Sequence, residues 1–464
     1  KRIHTQNRIQ TGKVLVYKSI ADTARQYEKQ DNLYFVYNSD FRGRIYCATS
    51  GLSPQGEDLA KGLLRFGESV RLGASGVFWL AVHGANTFGY DKVSYEERVD
   101  WIYEQERQFR DVIKDAISTR EFWGSADKPW QFLAFIFEWA RSDYGNNEDA
   151  LGYLPIGLDG SCNGIQHYSA ILRDKVGGAA VNLIDSDVPS DIYTDVSTTL
   201  YSKLDGISQQ PTTEGQYARI WIAAAFDRKL TKRPVMTLPY GSTRQSCKEY
   251  IFEWMLDHRS KFPADDWELF TLALWLTPLL WDSIGEVVIA ARAAMTWLQK
   301  TSSIALKKSR DPLTWVSPAG FPVYQAYALT KGVRIETMIA GTTVGRVRTT
   351  SQVQTCDVSV RKQRLGVAPN FIHSIDSSHM VKTINDIDLK AYAMIHDDFG
   401  THAGNTEDLW TQIRITFVDM YKKYEPLREW YDYQIAKGIE LDEELPPMGD
   451  LDIEDVRNSS FFFG

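Results

Sequence analysis

The chain has 464 residues, 43% of them apolar and 12% aromatic, enough for a large core in two or three domains or one interleaved fold. A formal net charge of −8 argues against a general nucleic-acid binder, and no apolar run is long enough to span a bilayer. The four cysteines, Cys47, Cys162, Cys247 and Cys356, form no Cys-x-x-Cys pair, which argues against a zinc ribbon or disulfide framework and suits a reducing, intracellular setting.

In chain order, residues 1–31 read as a basic helical arm that begins in mid-element. Positions 1–30 carry seven basic side chains against two acidic ones. No secretory signal is visible and the first residue, Lys1, is not Met, so the chain reads as a fragment or a processed product. Tyr34 to Tyr37 is a strand candidate that leads into Asp40-Phe41-Arg42-Gly43-Arg44. Two guanidinium groups on a tight turn suit bidentate phosphate contacts, and an ordinary solvated turn fits equally well. Gly51 to Gly67 reads as a loop with a helix start, and amphipathic helices fill Gly76 to Trp139, broken near Gly124 and Pro129.

The run Leu151 to Leu158 favours strand or loop and ends in Asp159-Gly160-Ser161-Cys162-Asn163-Gly164, followed by a helix-like segment from Ile165 to Arg173. A carboxylate at a strand end beside small residues can hold a metal and a phosphate. Taken alone, the stretch fits a turn with a helix-capping Asp or Ser better. Helices are expected over Ile192 to Leu204, Gln216 to Phe226, Glu249 to Leu256 and Trp267 to Gln299, with a break at Pro278.

Between them, Arg228, Lys232, Met236 and Tyr240 recur every four residues. On a helix they share one face bearing two cations, an apolar contact and an aromatic ring, which suits a triphosphate at one end and a base or sugar at the other. Pro234 and Pro239 predict a kink in that helix or a start near Pro234. Trp315 to Tyr327 reads as a hairpin. Lys331 to Arg348, with Val333, Ile335 and Met338, reads as an extended basic hairpin suited to touching DNA. Gly366 to Asn385 is expected to be a loop and helix. The short strand Ala391 to Ile395 delivers His396-Asp397-Asp398, and Glu407 to Ile435 is helical. Residues 440–455 then carry eight acids and no base, ahead of Phe461-Phe462-Phe463-Gly464. A site for two divalent ions needs at least two acids, and spacing alone cannot bring Asp159 to Asp397.

Three pieces in this order, Asp159 to His167, Arg228 to Gly241 and His396 to Gly400, resemble motifs A, B and C of the polymerase palm. The match is to the bacteriophage-type, single-subunit DNA-directed RNA polymerases, a family that includes the mitochondrial enzyme. Asp40 to Arg44, Pro54 to Gly62, His83 to Asn86, Arg173-Asp174, Ala368 to Ser374 and the aromatic terminus add to it. The likeness runs from about Asn38 to Gly464 and is weak over Gln245 to Arg310 and Leu329 to Val360.

The resemblance implies an α+β, mostly helical right-handed polymerase fold. In it, 1–30 is a thumb remnant, 31–175 and 375–445 form a palm with an antiparallel sheet, 176–374 form helical fingers, 329–360 is like a specificity loop, and 446–464 form a C-terminal foot. The family's N-terminal domain and most of its thumb would lie upstream of Lys1, supplied by a missing segment or a second polypeptide. The reaction implied is DNA-templated RNA synthesis from ribonucleoside triphosphates. Two Mg²⁺ would be held by Asp159, Asp397 and the Gly160 carbonyl. Arg228 and Lys232 would grip phosphates, with Lys232 the proton donor to pyrophosphate; Met236 and Tyr193 belong to the same nucleotide site. Tyr240 would help select ribose, with His373 near the sugar. Arg42, Arg44 and Lys61 would contact template and hybrid backbones. Gly160-Ser161 leaves room for a 2′-hydroxyl where related DNA polymerases place a Glu, and Asp398 stands where the family more usually has a small residue. A phage-encoded enzyme would work in the host cytoplasm. A DNA polymerase or primase-like enzyme with the same palm, and a non-catalytic DNA-binding subunit, are the competing readings.

Overall fold

The computed structural model describes residues 2–262, 265–337 and 347–464. The described chain is mostly helical, with eleven short strands in small antiparallel sheets. These strands are β1 (Tyr37–Ser39), β2 (Ile45–Cys47), β3 (Val70–Arg71), β4 (Leu151–Gly152), β5 (Pro155–Asp159), β6 (Leu313–Val316), β7 (Pro322–Gln325), β8 (Ala328–Thr337), β9 (Val347–Val358), β10 (Ala393–Ile395) and β11 (Asp398–His402). The largest sheet has three strands in the order β10-β11-β5, so the two segments with acids at their ends, 238 positions apart in sequence, are neighbours through β11. Alternation along β5 turns Ile156 and Leu158 into the core and leaves Asp159 exposed on the other face. No single described helix is long and apolar enough to cross a membrane.

The helix Asn163–Leu172 follows β5 and is buried along its whole length, and a helix buried on every side belongs to the interior. One apolar core surrounds it and joins residues from both halves of the chain, including Trp221, Leu276, Trp315, Phe371, Phe417 and Phe462. A second core under the sheet's other flank gathers Phe109, Phe132, Phe135, Ile136 and Trp139 with Ile156. The basic arm is the helix Arg2–Tyr27, which buries Ile20 against Leu52, Leu59 and Ala60.

Several expectations need correction. The strand predicted at Tyr34 to Tyr37 begins at Tyr37. Pro278 does not break its helix, which runs Asp266–Val287 and ends before Ile289–Ser309. The carbonyl of Leu274, which Pro278 cannot bond, belongs to an exposed residue that water can reach, and the Thr277 hydroxyl bonds the neighbouring Ala273 carbonyl at 2.7 Å. Gly366 and Pro369 likewise lie inside one helix, Val360–Asp386. The Leu365 carbonyl freed by Pro369 faces Gly241, where a Cβ would stand 3.5 Å from it. The hairpin foreseen over Lys331 to Arg348 is β8 and β9, longer at both ends; Met338 and the rest of 338–346 lie outside the described residues.

Four histidines, His83, His167, His379 and His402, are buried among the described residues. Burial holds His83 neutral down to about 3 and His379 down to about 4, and it drives His167 well below its ordinary 6.5. Because the unfolded chain binds those protons more readily, each favours folding fully above 6.5 and loses that contribution as pH falls toward its folded value. Histidine-labelled NMR is therefore expected to show His83 and His379 unprotonated at pH 5, where a solvent-exposed imidazole is mostly charged.

Candidate active site

The acid-bearing sheet edge opens onto a cleft of about 810 Å³. Asp398 stands directly opposite Asp159 across the β11–β5 ladder. Asp397 lies in the turn between β10 and β11, and the Gly160 N–H donates to its carbonyl at 3.1 Å. Non-glycine residues in the left-handed region stand just before Asp397, at His396 (φ 57°), and three positions after Asp159, at Cys162 (φ 60°). Such strained positions cluster where a chain holds functional groups in place. Gly157 makes room for the Asp398 carboxylate, because a side chain there would collide with Oδ1.

Burial, then repulsion from Asp398 and Asp397, raises the Asp159 carboxyl to about 7. Water in the cleft reaches Asp159, so the crowding of like charges is the firmer of the two causes. Burial also raises Asp397, against the pull of Arg44, and raises Asp398, against Lys61 and Lys128. Lys61 Nζ lies 3.8 Å from Asp398 Oδ2.

Three crowded carboxylates with hard oxygen donors are relieved by a divalent cation, so the residues fit one. Asp159, Asp397 and the Gly160 carbonyl, which accepts no hydrogen bond among the described residues, are the groups available to hold it. No ready-made cluster of three or more His, Cys, Asp or Glu ligands occurs among the described residues. Mg²⁺ sites that keep waters and share substrate phosphates need only one or two carboxylates.

The opposite wall is the helix Arg228–Thr237, capped by Asp227, with Pro234 inside it. The helix starts at Arg228 rather than near Pro234, and it ends before Pro239. Arg228, Lys232 and Met236 share its cleft face as expected. Tyr240 does not continue that stripe: it sits in the turn beyond the helix and still reaches the same cleft. Gly164 lets this turn close in, since a Cβ there would come 2.8 Å from Pro239 and 3.3 Å from the Tyr240 hydroxyl.

The Tyr240 ring packs on His373, with centroids 4.8 Å apart and planes at 36°. Burial, then the charges of Arg44, Arg42 and His396, push His373 down to about 2. Arg42 Nη1 lies 2.6 Å from His373 Nδ1. A guanidinium can only donate, so Nδ1 is the acceptor and the neutral ring carries its proton on Nε2. Tyr193 also lines the cleft, with the Arg228 guanidinium 5.3 Å from its ring centroid.

The Arg-Gly-Arg turn is part-buried rather than solvated. Arg44 is buried with its guanidinium on Asp376, using Nε at 3.1 Å and Nη2. Arg42 bonds Asp40 through Nε at 2.8 Å and Nη2 at 2.5 Å. These carboxylates occupy most of the donors that the sequence reading gave to nucleic acid. Sequence reasoning also missed Lys128 in the cleft and the role of Arg414, which donates to the carbonyls of Ser459, Ser460 and Phe463. That clamp holds Phe463 against Gly160 and the Gly464 N–H 3.3 Å from the Asp159 carbonyl. Neither residue sits in a recognisable motif; only the aromatic run hinted that this segment is buried.

Acids at adjoining strand ends thus face cations on a helix across one cleft, an arrangement that fits an anionic ligand together with a divalent cation. Residues 70–439 match the family described as DNA-dependent RNA polymerase, and the chain belongs to that family. It is 33% identical to T7 RNA polymerase of Escherichia phage T7, over 99% of this chain and 56% of that protein. It is 34% identical to the DNA-directed RNA polymerase of Enterobacteria phage K11, over 95% of this chain and 53% of that protein. It is 35% identical to the mitochondrial DNA-directed RNA polymerase 1 of Nicotiana sylvestris, over 95% and 44% respectively. The chain spans about half the length of the curated relatives it matches.

Proposed function

We propose that this chain carries the nucleotidyl-transfer site of a DNA-directed RNA polymerase, joining ribonucleoside triphosphates to an RNA 3′ end on a DNA template. The observation that carries this reading is that Asp159 and Asp397, Arg228 and Lys232, and Tyr240 and His373 line one cleft. In this reading, the β10-β11-β5 sheet is the palm floor, the helices of 176–374 are the fingers, and the β8–β9 hairpin faces promoter DNA. A second polypeptide or a further segment completes the grip on template and hybrid.

Asp159, Asp397 and the Gly160 carbonyl would hold two Mg²⁺, which would supply Lewis-acid activation of the attacking 3′-hydroxyl and charge neutralisation of the leaving pyrophosphate. Arg228 binds phosphate oxygens. Lys232, exposed on the same helix face, donates the proton that pyrophosphate needs on departure. The proton on His373 Nε2 and the Tyr240 hydroxyl, raised by burial and then by Asp397, remain available as donors at neutral pH. They bind the sugar edge of the incoming nucleotide. Gly160 and Ser161 add no bulk beside the 2′-hydroxyl.

Competition between ribo- and deoxyribonucleotides on a primed DNA template tests this reading, and strong deoxyribonucleotide preference would overturn it in favour of a DNA polymerase. Tyr240→Phe is expected to reduce the ribo-over-deoxy preference about tenfold, the worth of one hydrogen bond of about 1.4 kcal/mol, while leaving extension intact.

A further inference from the structure

We infer that Asp191 is a positioning residue that pre-orders Arg228 for the triphosphate; this rests on the phosphate role proposed above for Arg228. Asp191 is the N-cap of the helix Ile192–Ser208. Its carboxylate accepts the Tyr193 N–H at 3.3 Å and the Thr194 hydroxyl at 2.7 Å, so it is fixed to its own helix start. From the facing helix, Arg228 donates Nε to Oδ2 at 2.5 Å and Nη2 to Oδ1 at 3.3 Å. The Thr231 hydroxyl, one turn along, bonds the Tyr193 carbonyl at 2.7 Å and locks the two helix starts together.

The guanidinium is thereby held by a two-pronged carboxylate contact on one edge and by the Tyr193 ring beneath it. Its remaining nitrogen, Nη1, has no hydrogen-bond partner among the described residues, and the side chain is 30% exposed on the cleft. An arginine ordered in this way loses little rotamer freedom when phosphate arrives at its open edge. Asp91, also on the cleft wall, adds a second negative charge near Arg228. The opposite device, a latch in which Asp191 competes with phosphate for Arg228, makes the reverse prediction.

Asp191→Asn keeps a good N-cap and removes the charge. In the full polymerase containing this chain, it is expected to raise KM for ATP about tenfold, with kcat and template affinity near wild type. Asp191→Ser, which also caps but cannot reach the guanidinium, is expected to do the same. In an Arg228→Ala background, Asp191→Asn is expected to add less than about twofold, because residues acting through one contact are not additive. An unchanged or lowered KM, or the same rise with and without Arg228, would overturn the inference. Arg228→Ala with a wild-type KM would overturn the phosphate role itself, and this inference with it.

Discussion

Asp397→Asn is expected to lower nucleotide transfer by at least about a thousandfold, equivalent to about 4 kcal/mol of transition-state stabilisation, with template binding nearly unchanged. Asp397 is part-buried at the turn before β11, its carboxyl already raised by burial, and it shares the cleft with Asp159 and Asp398. Asparagine keeps the shape and removes the charge that a bound cation would require. The backbone tie between the Gly160 N–H and the Asp397 carbonyl does not depend on the side chain, so the turn survives the change. Extension assays with gel-shift measurement of template affinity check this outcome, and retained activity would refute the assignment of Asp397.

Arg44→Met is expected to destabilise the fold by about 3–5 kcal/mol, the cost of leaving a buried charge unpaired. Asp376 is 2% exposed inside the helix Val360–Asp386, and Arg44 on the β1–β2 turn is its ionic partner. Burial raises Asp376 to about 6 while Arg44 pulls it down, so the carboxylate is charged at neutral pH and depends on the guanidinium. Arg44 is itself held in its charged form by that contact, against the effect of burial. The double variant Arg44→Met/Asp376→Leu is expected to recover most of the loss, since an apolar pair can replace a buried ion pair. Chemical denaturation midpoints of the single and double variants separate this structural role from phosphate binding.

Much of the site was legible because strand ends and helix faces are local. Asp159 and Asp397 each follow a short apolar run, and Arg228, Lys232 and Met236 keep a four-residue spacing that a helix must turn to one side. Their meeting in space was not legible from spacing; it depends on β11 pairing with β5 in a register that sets Asp398 against Asp159. Pro278 misled because a proline's cost depends on where the freed carbonyl goes. The ion pair that buries Arg44 was not legible, because its partner Asp376 lies 332 positions away. Asp191 carried only the ordinary signal of a helix cap, and its contact with Arg228 is tertiary.

Template-directed incorporation is the most direct test of the central claim. With Mg²⁺, a primed DNA template and one ribonucleotide at a time, the polymerase containing this chain is expected to add only the nucleotide complementary to the next template base. The preferred nucleotide is expected to change when that base is changed. Incorporation that ignores the template base, or none by a complex that binds primed template and nucleotide, would contradict it.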